Sequence, residues 1–263
     1  MRGMGHREPL SSVDGLGELI AASAITGASV HVVHISSNGL RATPLLLQTI
    51  GEARSRGMDV TTECYPYDAA LTALESAIFD EGWREKLGID YQDLQWTLTG
   101  ERLTASTFAE FREIGGMVVL HMIPEEFVVA SVASPLTMTA TDGWLKDGKG
   151  HPRTAGSYSR VLGHFVRENG DLTLMDALRK MSLMPAQRLE GRTPAMRNKG
   201  RVRVGADADL VMFDPERVID RATCEAPTNP PEGIVHVFVH GELVVRDGRL
   251  LEGATASRPV RAP

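Results

Sequence analysis

At 263 residues with 42% hydrophobic side chains, the chain is long enough to bury one large core or two smaller ones. Its 34 acidic residues outnumber its 28 basic ones, and a formal charge of −6 gives no reason to expect nucleic acid or an anionic membrane as partner. Cys64 and Cys224 are the only cysteines, which excludes a disulfide framework and suits a reducing cytoplasm.

The opening MRGMGHREPLSS is polar and charged, without the apolar stretch of a secretion signal, and no later segment has the roughly 20 apolar residues of a membrane span. Over residues 12–27 the apolar side chains Val13, Leu16, Leu19, Ile20 and Ala24 share one helical face, with Ser12 placed to cap and Gly27 to stop. The β-branched run 30–35 reads as a strand that breaks into Ser, Ser, Asn and Gly. A helix follows over TPLLLQTIGEARSRG, with Thr43 as cap and Pro44 in the first turn. MDVTTECY is a second strand. This alternation builds parallel sheets through right-handed crossovers. It is expected to resume with a strand in GGMVVLHMI, a short helix in EEFVVASVA and a strand in LTMTATDG, followed by a helix over TLMDALRKMSLMPAQRLE. Beyond Gly200, GRVRVGADADLVMFDP and GIVHVFVHGELVVRDGRL alternate at period two, as antiparallel hairpins do, on either side of the aperiodic, proline-rich RATCEAPTNPPEG. The division expected is residues 1–199, α/β, and residues 200–263, β-rich.

Ligands of parallel α/β sheets bind at the C-terminal ends of the strands. Three places meet that description: His34, the Tyr65–Tyr67 stretch YPY, and Asp142. An imidazole and a carboxylate converging on one cleft suit zinc, the neutral ring nitrogen as ligand and the carboxylate as proton acceptor. Each has a plainer competitor: a hydrogen-bonded structural histidine at 34, a turn aspartate at 142. His31 lies three positions before His34 and by strand alternation should face the helical layer. His121 is placed like a site residue but is equally consistent with partial exposure. His151 and Arg153 lie in what reads as a glycine-rich loop, where a guanidinium would either clamp a carboxylate or stand in solvent.

In combination these blocks resemble the amidohydrolase superfamily, specifically its N-acyl-D-amino-acid deacylase (D-aminoacylase) group. The resemblance is carried by GASVHVVHISS, DVTTECYPYDAALT, TATDG with GHPRTAGSYSRVLGHFVRE, LRKMSLMPAQRLE and GRVRVGADADLVMFDPERVIDRAT. It implies an α/β fold, part of a (β/α)8 TIM-type metal-dependent hydrolase barrel with a small C-terminal β-sandwich portion. It also implies hydrolysis of the linear amide of an N-acyl amino acid, with the D form as a candidate, by metal-activated water. His34 then matches the metal-binding histidine of barrel strand six and Asp142 the proton-handling aspartate of strand eight; Tyr65 and Arg153 match substrate contacts. Departures are Ser36, where some deacylases have lysine, and Leu71 ahead of Thr72, which leave the acyl and side-chain preference open.

The family's His-x-His strand, its Cys or carboxylate ligand and its strand-five histidine are not found in these residues, so the chain resembles the portion that starts mid-barrel. His6 is a conceivable substitute ligand. The expectation is a zinc enzyme whose isolated chain is inactive, self-associates or is completed by a missing N-terminal half. The alternatives are a cyclic-amide hydrolase of the dihydroorotase or hydantoinase kind, and a non-catalytic fragment.

Overall fold

The structure, a computed structural model, describes residues 11–261. Helix α1 (Ser12–Thr26) starts where the Ser11 hydroxyl accepts the Asp14 N–H at 3.1 Å and ends at Gly27, which takes the left-handed conformation at φ 72°. The cap is therefore Ser11, one residue before the serine expected. Strand β1 (Val30–Val32), a short α2 (Ile35–Gly39), α3 (Thr43–Ser55) and β2 (Val60–Cys64) follow. Thr43 is not a cap. It is the first residue of α3, its hydroxyl buried and without a hydrogen-bond partner among the described residues, while Pro44 fills the first turn, where a missing N–H costs nothing.

The chain next leaves the parallel pattern. Strands β3 (Ala69–Ala73), β4 (Leu94–Trp96) and β5 (Met117–His121), with α4 (Trp83–Leu87) and α5 (Ala105–Ile114) between them, form an antiparallel sheet in the order β3-β5-β4. The expectation that GGMVVLHMI resumes the parallel alternation is corrected on this point: it is a strand, but it pairs antiparallel on both sides. A short apolar run that is buried reads alike in either kind of sheet, because periodicity does not name the partner. The unit has its own core, in which Phe79, Trp83 and Phe108 meet with ring centroids 5.3–5.8 Å apart.

Helix α6 (Glu125–Ala133) leads back to β6 (Thr137–Thr139), which completes a parallel sheet in the order β1-β2-β6. On β2 the side chains of Val60, Thr62 and Cys64 are buried, and the core that holds Val60 and Cys64 is filled by Leu16 of α1, Leu46 and Ile50 of α3, and Val128 and Val132 of α6. Thr61 and Glu63 point to the other face. His31 joins them: its Nδ1 is 2.8 Å from Thr61 Oγ1 and its Nε2 is 3.1 Å from Glu63 Oε2. His31 thus faces away from the helices, a correction to the side expected. The alternation was counted from His34, which has already left the strand.

A hairpin of β7 (Leu145–Lys146) and β8 (Lys149–Gly150) turns through Asp147 and Gly148, both at positive φ. The stretch read as a glycine-rich loop is helical from Arg153: α7 (Arg153–Arg160) continues as a π-helix to Glu168. The expected helix over 173–190 is present as α8 (Leu174–Leu178), a π-helical turn and α9 (Met184–Glu190), the wider turn falling just before Pro185, which has no N–H to offer the preceding turn. Lys180 in that turn is buried and donates to the Ser134 carbonyl and to Thr137 Oγ1 (3.1 Å), tying the helix to the start of β6.

At the C-terminal end, strands β9 (Leu210–Phe213), β10 (Ile234–Val239), β11 (Glu242–Arg246) and β12 (Arg249–Leu250) form an antiparallel sheet in chain order. The GRVRV alternation is not a strand; Val202 and Val204 stand exposed. In the following ADADL the aspartates explain the pattern, since Asp207 and Asp209 hold Lys199 and Asp209 accepts the His240 N–H at 2.8 Å. Phe213 and Ile234 seat this sheet against Val161, Leu162 and Ala177 of the helices.

Candidate active site

His34 and Asp142 stand just beyond the C-terminal ends of β1 and β6, and both adopt positive φ, 32° and 46°. Side chains other than glycine pay for that conformation, although His and Asp tolerate it better than most. Ser37, one turn into α2, donates its hydroxyl to the His34 carbonyl at 3.0 Å, which leaves its oxygen facing His34 Nδ1 at 3.3 Å. That oxygen accepts from an Nδ1–H. The tautomer so favoured leaves the lone pair on Nε2, as a metal-binding histidine requires.

Tyr65 follows β2 and is fully buried. Its ring lies 6.4 Å from His34 and under the Arg153 guanidinium, whose carbon sits 4.5 Å above the ring centroid. Arg153 in turn reaches the Asp142 carboxylate at 2.9 Å. The four expected residues are thereby joined in one line, Asp142–Arg153–Tyr65–His34. Arg153 is 3% exposed, so the solvent alternative is set aside, and in this state its partner is Asp142 rather than a free carboxylate. Two buried polar atoms in the line, Tyr65 Oη and Arg153 Nε, have no hydrogen-bond partner among the described residues. Orphaned groups of this kind are costly in a finished core and mark places where a ligand supplies the missing partner. Burial pushes the Tyr65 hydroxyl above its ordinary value, so it stays protonated and able to donate.

His151 lies under this line, fully buried between Tyr65 and Tyr67, and its Nδ1 accepts the Arg153 N–H at 3.0 Å. Burial, followed by the Arg153 charge, holds its imidazole well below the usual range, so it is a neutral support for the arginine. Tyr67 donates to Asp220 at 2.9 Å, and Arg160 approaches the same carboxylate at 3.7 Å while donating to the Pro66 carbonyl at 2.7 Å. Asp220 went unnoticed in the sequence because its partner is 153 residues away and its neighbours carry no periodic signal. His121 ends β5 beside Gln95, bonded at 3.0 Å, and is not in the line. His6 lies outside the described residues. Among the described residues no three His, Cys, Asp or Glu side chains gather closely enough to hold a metal ion.

A model of the amidohydrolase family matches residues 17–245, and the chain belongs to that family. Within it, the chain groups with the D-aminoacylases. It is 33% identical over 225 residues to an N-acyl-D-glutamate deacylase of Alcaligenes xylosoxydans xylosoxydans, covering 78% of this chain and 44% of the relative. A D-aminoacylase of the same organism is 32% identical over 72% of this chain and 40% of its own length. Among solved structures, the N-acyl-D-glutamate deacylase of Bordetella bronchiseptica, complexed with zinc and a phosphonate mimic of the tetrahedral intermediate, superposes with a TM-score of 0.73 at 29% identity, over 90% of this chain and 52% of that one. The chain spans about half the length of the relatives it matches. Among the described residues no helix is long and apolar enough to cross a membrane.

Proposed function

We propose that this chain forms the strand-six to strand-eight part of a (β/α)8 amidohydrolase barrel, residues 1–199, joined to part of a small β-sandwich, residues 200–263, in a cytoplasmic enzyme that cleaves the linear amide of N-acyl-D-amino acids. The observation that carries this reading is the line Asp142–Arg153–Tyr65–His34 with its two orphaned buried polar atoms. The donor set fits zinc: the Nε2 lone pair of His34 and a half-exposed carboxylate from Asp142. A catalytic zinc takes three or more protein ligands, so further donors would have to join these two. Bound there, the ion supplies positive charge that polarises the amide carbonyl and acidifies a water.

The chain's own residues do the rest. Asp142 takes the proton of the attacking water and returns it to the leaving amine nitrogen. Tyr65 donates its orphaned hydroxyl to substrate. Arg153 turns part of its fork from Asp142 to the substrate carboxylate, where two parallel hydrogen bonds fix its orientation. The alternative, a cyclic-amide hydrolase, shares the barrel and metal logic; a linear substrate with a free carboxylate is favoured by the arginine held at the site.

The test pairs the chain with the N-terminal half of a related D-aminoacylase in the presence of zinc, and offers N-acetyl-D-glutamate, N-acetyl-D-amino acids with apolar side chains, and a cyclic ureide. Release of the free D-amino acid alone is expected. Ureide opening without deacylation overturns the reading, and near-stoichiometric zinc with turnover by the unpaired chain refutes the need for completion.

A further inference from the structure

A cavity of about 500 Å³ opens at the opposite end of the parallel sheet from His34 and Asp142. Ser29 and Asp59, which immediately precede β1 and β2, form part of its wall, together with the ends of α3 and α9. Four guanidinium groups, those of Arg54, Arg179, Arg188 and Arg192, line it against a single carboxylate, Asp59.

That carboxylate is already committed. It accepts from Arg188 Nη1 at 2.6 Å, and the hydrogen bond from Ser29, together with the Arg188 charge, holds it below the ordinary range, so it stays ionised. Arg188 is pinned a second time, donating from Nη2 to the Val30 carbonyl at 3.0 Å. Arg192 adds its charge beside Asp59 without bonding it, and Arg54 and Arg179 have no hydrogen-bonded or ion-paired side-chain partner among the described residues. Arg54 and Arg179 without such a partner, and Arg192 sharing Asp59 with Arg188, therefore gather at one concavity in a protein whose net charge is −6. Like charges gathered around a cavity repel one another, and a bound anion relieves that repulsion.

Planar guanidinium forks match the oxygens of a phosphate group, each offering two parallel donors. Met138 and Met184 add apolar surface to the lining. The volume falls within the range of small-molecule sites, which run to a few hundred Å³ and upward. We infer that this cavity is a binding site for a phosphate group, free or carried by a small organic molecule, separate from the hydrolytic site and independent of its assignment.

The test is isothermal titration of the purified chain at low salt with inorganic phosphate, ribose 5-phosphate and ribose. Saturable binding of one or both phosphates, and none of ribose, is expected; the ratio of the two affinities tells free phosphate from a phosphate ester. The double variant Arg179→Glu/Arg192→Glu should bind at least about tenfold more weakly, on the scale of lost charge-assisted hydrogen bonds. Arg203→Glu, one such charge reversal on the exposed surface outside the cavity, should leave the affinity unchanged. The affected arginines are exposed, and an unaltered circular dichroism spectrum shows that the double variant folds. No saturable phosphate binding at millimolar concentration, equal loss in Arg203→Glu, or binding of ribose overturns the inference.

Discussion

Asp142 is held by Arg153 at 2.9 Å yet remains 41% exposed, and that combination suits a carboxylate that exchanges protons during turnover. Replacing it by Asn keeps the shape and removes the base. In the completed, zinc-loaded preparation, Asp142→Asn should lower kcat by roughly 10²–10⁴-fold, the usual contribution of a general acid–base. His34→Ala should instead lose metal, read by elemental analysis. His151 permits a test of pH dependence without any assay of turnover. Its folded imidazole stays neutral where the unfolded one protonates, below its ordinary value of 6.5. The unfolded state therefore binds the extra proton, and stability falls as the pH drops through 6.5, by up to about 1.4 kcal/mol per pH unit for one such group. His121 is shifted in the same direction by burial and adds to the slope. Urea unfolding of His151→Asn, whose amide oxygen still accepts the Arg153 N–H, should show a shallower decline between pH 6.5 and about 5.

The helix that begins at Arg153 works as an element because two glycines let it press against the chain around residue 219. A Cβ added at Gly163 would meet the Val218 carbonyl oxygen at 2.5 Å, and one added at Gly156 would meet Tyr67 Oη at 2.2 Å. Neither glycine needs an unusual φ, so their role is close approach rather than backbone freedom. Gly163→Ala faces backbone on its contact side and should destabilise the fold by about 1–3 kcal/mol in urea unfolding, the cost of overpacking, despite alanine's better helix propensity. Gly156→Ala moves Tyr67 off Asp220 as well, so it should also disturb the tyrosine environment seen in near-ultraviolet circular dichroism. Through Tyr67 and Arg160 this element ties the strand-end site to the segment that enters the C-terminal sheet.

At the scale of the molecule, one face of the parallel sheet is packed with helices while the other carries His31, Thr61 and Glu63, the first and last only partly covered. Among the described residues strands β1 and β6 each pair with a single neighbour, and Val33 stands 44% exposed beside β1. Parallel sheets are ordinarily covered on both faces, and open strand edges pair with other chains. Sedimentation of the isolated chain should therefore show concentration-dependent association. Val33→Lys, a charge placed beside the open edge, should shift it toward the monomer. A strictly monomeric wild type at every concentration would contradict this.

The sequence by itself determined the alternation of helix and strand over residues 12–64, the start of α1 to within a residue, and the positions 34, 65, 142 and 153, because local spacing and turn chemistry are written in neighbouring side chains. The family resemblance carried in the same blocks supplied their expected roles. The sheet in which β5 pairs, the face taken by His31, the helical setting of Arg153, the Asp220 clasp and the arginine-lined cavity were decided only by tertiary structure. Each depends on residues far apart in the chain: β5 needs β3 and β4, Tyr67 needs Asp220, and the cavity needs arginines from α3, the π-helical turn and the end of α9. Periodicity records how a segment is buried, whereas packing selects what it is buried against.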